Sequence, residues 1–166
     1  MAYAPNIADY KPFWIQSGIT AAKNTATEWG MVAKSNPYPL LPTPKEPYKN
    51  DWKDESGDDE YNAVMHYEPI EFSVQFYVKT FKTSTKSAEQ VLREQMDSFF
   101  DAVKNGEFKI YDAYTGIGRQ KVRYAGYEEG SYKKKSDWAR AIFTVKFKVN
   151  DPITRMKLSG TDIIAI

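Results

Sequence analysis

The chain is 166 residues long, with 23 lysines and arginines against 22 acidic side chains and a net charge of +1. That length suits one domain with a substantial core. The charge balance argues against a dedicated nucleic-acid binder and gives no support to a membrane-surface protein. Cysteine is absent, which excludes disulfide frameworks and thiolate metal sites and fits a reducing compartment.

The opening MAYAPNIADYKPFW has neither a basic start nor an apolar stretch, so it does not read as a signal peptide. No run approaches the ~18 apolar residues of a membrane span. The expectation is a soluble, unsecreted protein. Aromatic residues make up 15% of the chain, which points to β-structure or an adhesive surface.

Weak strand signals lie around 13–15 and 29–32, and 19–28 reads as a short helix or a polar connection. The character then changes. Pro37, Pro39, Pro42, Pro44 and Pro47 remove ladder donors, so a continuous central strand is not expected here. Acidic residues follow at Asp51, Asp54, Glu55, Asp58, Asp59 and Glu60. The segment 36–62 is expected to be an extended loop or arm. Trp52 and Tyr61 within it favour packing against something, another subunit included.

The clearest strand lies within 64–81. Ile70, Phe72, Val74, Phe76 and Val78 alternate with polar neighbours, the period of one buried and one wet face. A helix is predicted over 87–105. Ser87 and Gln90 fit a capping box, and Gly106 is placed for a left-handed C-terminal cap. Leu92, Met96, Phe99, Phe100 and Val103 form its apolar stripe, expected to lie on a sheet. A short strand at 108–111, a turn at 116–118 and a hairpin partner at 119–127 come next. Residues 128–137 read as a charged loop. Ala141, Phe143, Val145, Phe147 and Val149 alternate again, and Asp151-Pro152 ends that strand. The tail 153–166 is expected to pair as an edge strand, here or on a neighbour. Hairpin-length links argue for antiparallel pairing. The expected fold is one α+β domain over 1–166, an antiparallel β-sandwich or barrel-like sheet with one packed helix.

No catalytic constellation stands out. His66 is the only histidine and nothing marks a nucleophile and an acid as its set, so a strand position is preferred. The acidic cluster at 54–60 lacks the EF-hand frame and reads as a solvated loop before a calcium site. Gly116-Ile117-Gly118-Arg119 lacks the third glycine and the following helix of a phosphate cradle, and reads as turn chemistry. Tyr132, Lys133, Lys134, Lys135 and Trp138 interleave basic and aromatic residues. A solvated hairpin tip is preferred there over anion contact. Trp14, Trp29 and Trp52 as a sugar-stacking platform are ranked below core or interface roles.

The order of these pieces carries a resemblance. A proline-bearing acidic loop precedes EPIEFSVQFYVKT, followed by AEQVLREQMDSFFDAVKNGEFKIYDAYTG, RQKVRYAGYEE and the closing WARAIFTVKFKVNDP. Over 29–152 this arrangement resembles the tube-forming proteins of long-tailed bacteriophages, above all the N-terminal ring domain of distal tail proteins. The resemblance implies a helix between strands of a β-sandwich and a final strand ending in Asp-Pro. It implies a homohexameric ring in a virion tail, assembled in the bacterial host cytoplasm and stacked with other phage tail proteins. DNA would be only passing cargo, and no cofactor, metal, membrane or small-molecule substrate is implied. The short tail after Pro152 departs from longer distal tail proteins, which append a carbohydrate-binding-like domain. Distal tail, tail-tube and terminator-like roles therefore stay open.

Closing a ring needs edges or arms that a neighbour accepts. The arm 42–61, the tip 128–137 and the tail 153–166 are the candidates, and Trp52, Tyr61, Tyr132, Ile153 and Ile163 are the expected interface residues. A near-neutral sum suits a conduit that must not grip a passing duplex. The runner-up function is a carbohydrate-binding β-sandwich module using exposed aromatics. The third is an enzyme with a pocket near His66 or the acidic loop.

Overall fold

The computed structural model describes residues 10–33, 41–46 and 65–166, and the backbone of 49–50 and 59–60. In chain order the strands are β1 (Phe13–Gln16), β2 (Lys23–Asn24), β3 (Met31–Ala33), β4 (Lys49–Asn50), β5 (Asp59–Glu60), β6 (Ile70–Phe81), β7 (Phe108–Asp112), β8 (Ile117–Lys134), β9 (Trp138–Val149), β10 (Met156–Ser159) and β11 (Asp162–Ala165). The helices are α1 (Thr25–Trp29) and α2 (Ala88–Val103).

The two alternating runs form the centre. β6 and β9 pair antiparallel along their whole length, from Ile70 opposite Val149 to Phe81 opposite Trp138. Phe72, Val74 and Phe76 on one strand and Phe143, Val145 and Phe147 on the other are buried on the same face. The sheet order is β2-β1-β7-β8-β9-β6-β3. A bridge between Lys11 and Ala33, with hydrogen bonds of 2.8 and 2.9 Å, ties the lead-in of β1 to β3 at the opposite side. The sheet therefore curls toward a barrel around one core, as closure of a twisted sheet requires. The α+β expectation is met.

The amphipathic helix lies against this core. Ser87 caps it by accepting a hydrogen bond from the Gln90 N–H at 3.2 Å. Leu92, Phe99 and Val103 are buried, each worth about 1.5–3 kcal/mol on transfer from water. Met96 is only partly buried. Phe100 departs from the predicted stripe: it is 48% exposed and stacks edge-on against Tyr124 at 5.7 Å. Neighbouring helix residues point about 100° apart. Phe99 takes the inward direction, 5.3 Å from Trp29 and 6.2 Å from Phe76, leaving Phe100 on the flank. The helix ends at Val103 with Lys104 as its cap in right-handed conformation. Gly106, at φ 72°, makes its left-handed turn beyond that cap.

Three segments differ from the sequence-based expectation. Trp29 is not in a strand but ends α1, which Asn24 caps through Oδ1 and Gly30 terminates at φ 66°. The helix is five residues long, too short for helical periodicity to show. His66 is likewise outside any strand and exposed. Residues 128–134 are not a loop but the outer half of β8, paired with β9 as far as Lys134 opposite Ala139. Irregularities between Tyr124 and Gly126 and between Glu129 and Tyr132 break the alternation there and hide the strand. The second requires glycine, because a Cβ on Gly130 would sit 2.2 Å from the Ile142 carbonyl oxygen. Gly130→Ala should therefore destabilise the fold by about 1–3 kcal/mol, read as a lower midpoint in chemical denaturation.

The tail pairs within its own chain. β10 and β11 form a hairpin, and Met156 of β10 sits opposite Gly118 of β8. Ala22, Met156 and Ile163 make a second, smaller core, with Trp14, Tyr111 and Leu158 packed on it. Gln16 clamps the hairpin: its Nε2 donates to Asp162 Oδ1 at 3.0 Å and its Oε1 accepts from the Ile163 N–H at 2.8 Å.

Between β3 and β6 the chain makes its long excursion. Lys45 N–H donates to the His66 carbonyl and Glu68 N–H to the Thr43 carbonyl, both at 2.8 Å, so its two ends run together. Further out, β4 pairs antiparallel with β5. The segment expected as an arm thus contains a two-stranded ladder among its described residues.

Candidate interaction surfaces

The outward face of the sheet is built by the positions that alternate with the core. Cross-strand register arranges these side chains in rows. Glu71 lies opposite Lys148, and Lys148 opposite Arg123. Gln75 lies opposite Thr144, and Thr144 opposite Glu128, which pairs with Lys146 at 2.6 Å. These rows mix charge signs.

The far end does not. Lys79 lies opposite Arg140, and Arg140 opposite Lys133, a row of cations only. The next pair is Phe81 opposite Trp138. Lys79 Nζ lies 5.0 Å from the Trp138 ring and 5.4 Å from the Phe81 ring. Lys135 Nζ and the Arg140 guanidinium approach the same indole at 5.8 and 6.0 Å. Phe81 is 61% exposed. Nearby, Lys82 pairs with Asp137 at 2.8 Å, and that ion pair raises the Lys82 pKa. Lys134 points to the other side and meets Glu89 of α2 at 3.1 Å. The basic–aromatic stretch 132–138 is therefore divided between two faces. Lys79, Phe81 and Arg140 complete its outward half. Lys79 and Arg140 flank the two alternating runs in polar phase, but the register that gathers them with Phe81 comes from the ladder.

The expected interface residues fall into three groups. Tyr132 and Ile153 are exposed, at 49% and 54%. Ile163 is fully buried in the second core, packed against its own chain. Trp52 and Tyr61 lie outside the described residues, as do Asp54, Glu55 and Asp58 of the acidic cluster.

The other candidates resolve into local structure. The His66 backbone carbonyl accepts from Lys45 at the base of the arm. The turn after β7 spans 113–116 and is organised by buried Asp112, which accepts from the Tyr114 N–H and the Thr115 hydroxyl, each at 2.8 Å. Burial pushes the Asp112 carboxyl up, against these bonds. Ile117 and Gly118 already belong to β8, so the glycine-rich stretch is a turn running into a strand. Trp29 is buried, with its Nε1 donating to Ser98 Oγ at 3.1 Å, which removes it from any exposed stacking platform.

Asp151 organises the exit from β9. Burial works to raise its pKa, but hydrogen bonds from the Gln120 amide and from the Thr154 and Ile153 N–H groups outweigh this and hold it at about 2. A carboxyl depressed in the folded state adds stability above its unfolded value near 4, lost as pH falls through about 2. Asp151→Ala should therefore lower the melting temperature at neutral pH. The difference from wild type should shrink between about pH 4 and pH 2.

No protein-family model and no curated protein matches the sequence. Among solved structures, the crystal structure of SPP1 Dit (gp 19.1), titled a paradigm of the hub adsorption apparatus in Gram-positive infecting phages, is similar. The match has a TM-score of 0.53 and 14% identity. It covers 88% of this chain and 52% of that one, so the chain spans about half the length of this structural neighbour. What the two share is the fold: a curled antiparallel sheet with a helix packed on its core.

Proposed function

We propose that this protein is a structural, non-enzymatic subunit of a phage or prophage tail. It assembles with copies of itself into a ring, six-membered in the simplest form, within the tail tube or distal tail of the virion. The observation that carries this is the fold shared with SPP1 Dit along most of the chain, with α2 between β6 and β7. The exposed tip of β8 with Tyr132 is available for neighbours. In this reading the ring is assembled in the host cytoplasm, contacts other tail proteins and passes DNA as cargo.

Native mass spectrometry and negative-stain images of the purified protein test it. The expected result is a closed ring with a central opening and sixfold mass. A protein that remains monomeric across the accessible concentration range overturns the ring.

A further inference from the structure

We propose that the cationic–aromatic end of the outward sheet face receives the acidic segment 51–60 of a second copy of this chain. The inference rests on the self-assembly proposed above and adds the contact that makes it.

Like charges directly opposite one another on adjacent strands repel. The row Lys79–Arg140–Lys133 places cations in both cross-strand pairs. Among the described residues, no acidic side chain forms an ion pair with these three or with Lys135. Among the described residues, the compensation given to Lys79 comes from the Trp138 and Phe81 rings, through weak cation–π contacts. A surface of this kind is completed by carboxylates that bring an apolar contact with them.

The chain itself carries such a ligand. The segment DWKDESGDDE holds six carboxylates, one lysine and Trp52. With an overall charge of +1, the basic end of the sheet is balanced elsewhere in the sequence, and this segment is its densest counter-charge. Charge complementarity of this type sets register and speeds encounter between partners.

The second copy comes from the self-assembly proposed above. Lys79 stands nine residues beyond Ile70 along β6, about 30 Å at 3.3 Å per residue. Asp54 is nine residues from Lys45 at the base of the arm, also about 30 Å when extended. Reach alone therefore does not separate a chain's own segment from a neighbour's, and the assembly readout below does.

The test is charge reversal, read as assembly by sedimentation velocity. Lys79→Glu/Arg140→Glu and, separately, Asp54→Lys/Asp58→Lys should each weaken assembly by at least about tenfold. The two sets combined in one chain should restore it. Salt near 1 M, where the screening length is roughly 3 Å, should weaken the wild type in the same way. If the face variant misfolds by circular dichroism, Lys133→Glu/Lys135→Glu at the solvated hairpin end replaces it. A wild type that assembles beside face variants that assemble equally well overturns this contact and leaves the ring standing. A wild type that stays monomeric overturns both. Duplex DNA binding that the face variant abolishes, with assembly unchanged, assigns the face to nucleic acid and overturns the proposal.

Discussion

Phe76→Ala is expected to produce the largest loss of stability, about 3–5 kcal/mol. Its ring is fully buried. It meets Phe13 of β1 at 5.7 Å, Phe143 of β9 at 6.0 Å and Phe99 of α2 at 6.2 Å. One side chain therefore joins three elements from distant parts of the sequence. Truncation removes the transfer free energy and leaves a cavity that β6, paired on both edges by β3 and β9, cannot collapse to fill. A chain of this size loses roughly 2–4 °C of melting temperature per kcal/mol, so thermal unfolding should shift down by about 6–20 °C. A shift of only a degree or two would show that α2 is not seated on the sheet as described.

Ile163→Ala is expected to cost about 2–3 kcal/mol, the low end for such truncations because its cluster is small. The loss should be seen in the isolated chain. Ile163 is buried against Ala22 and Met156, and its backbone is held by Gln16 and by the Lys109 ammonium, which donates to its carbonyl at 3.2 Å. The readout is amide hydrogen exchange. Protection should fall first at Ile163 and at Ala22, whose N–H donates to the Thr161 carbonyl at 2.7 Å. The main core around Phe76 should keep its protection longer. An Ile163 that served a neighbour would give the opposite pattern, with the isolated chain unchanged and assembly weakened. Ile153, exposed on the connection from β9 to β10, is the useful control, since Ile153→Ala should leave stability within about 0.5 kcal/mol.

The architecture was legible wherever a local period survives without interruption. β6, β9 and α2 announce themselves because one buried face repeats every second residue or every three to four. Those faces belong to the same core in the structure. The outer half of β8 was not legible, because its two irregularities shift the phase of alternation and put Glu129 and Lys134 on the inward side. α1 was one of two readings of 19–28, and five residues are too few for periodicity to choose between them. The tail was legible as a strand and ambiguous as to partner. Its docking depends on Gln16, 146 residues away in sequence from Asp162, and no local pattern encodes so remote a bond. The candidate site divides similarly. The basic–aromatic stretch 132–138 is visible in one dimension, but its union with Lys79, Phe81 and Arg140 exists only across the β6–β9 ladder.

By itself the sequence determined the class of fold, the two central strands and the helix laid over them, since each follows from spacing and composition within a single segment. Tertiary structure decided the curl of the sheet, the inward fate of Ile163 and the gathering of like charges at one end of the outward face. These depend on register between strands far apart in the chain, and register is fixed by packing and ladder hydrogen bonds that no one segment contains.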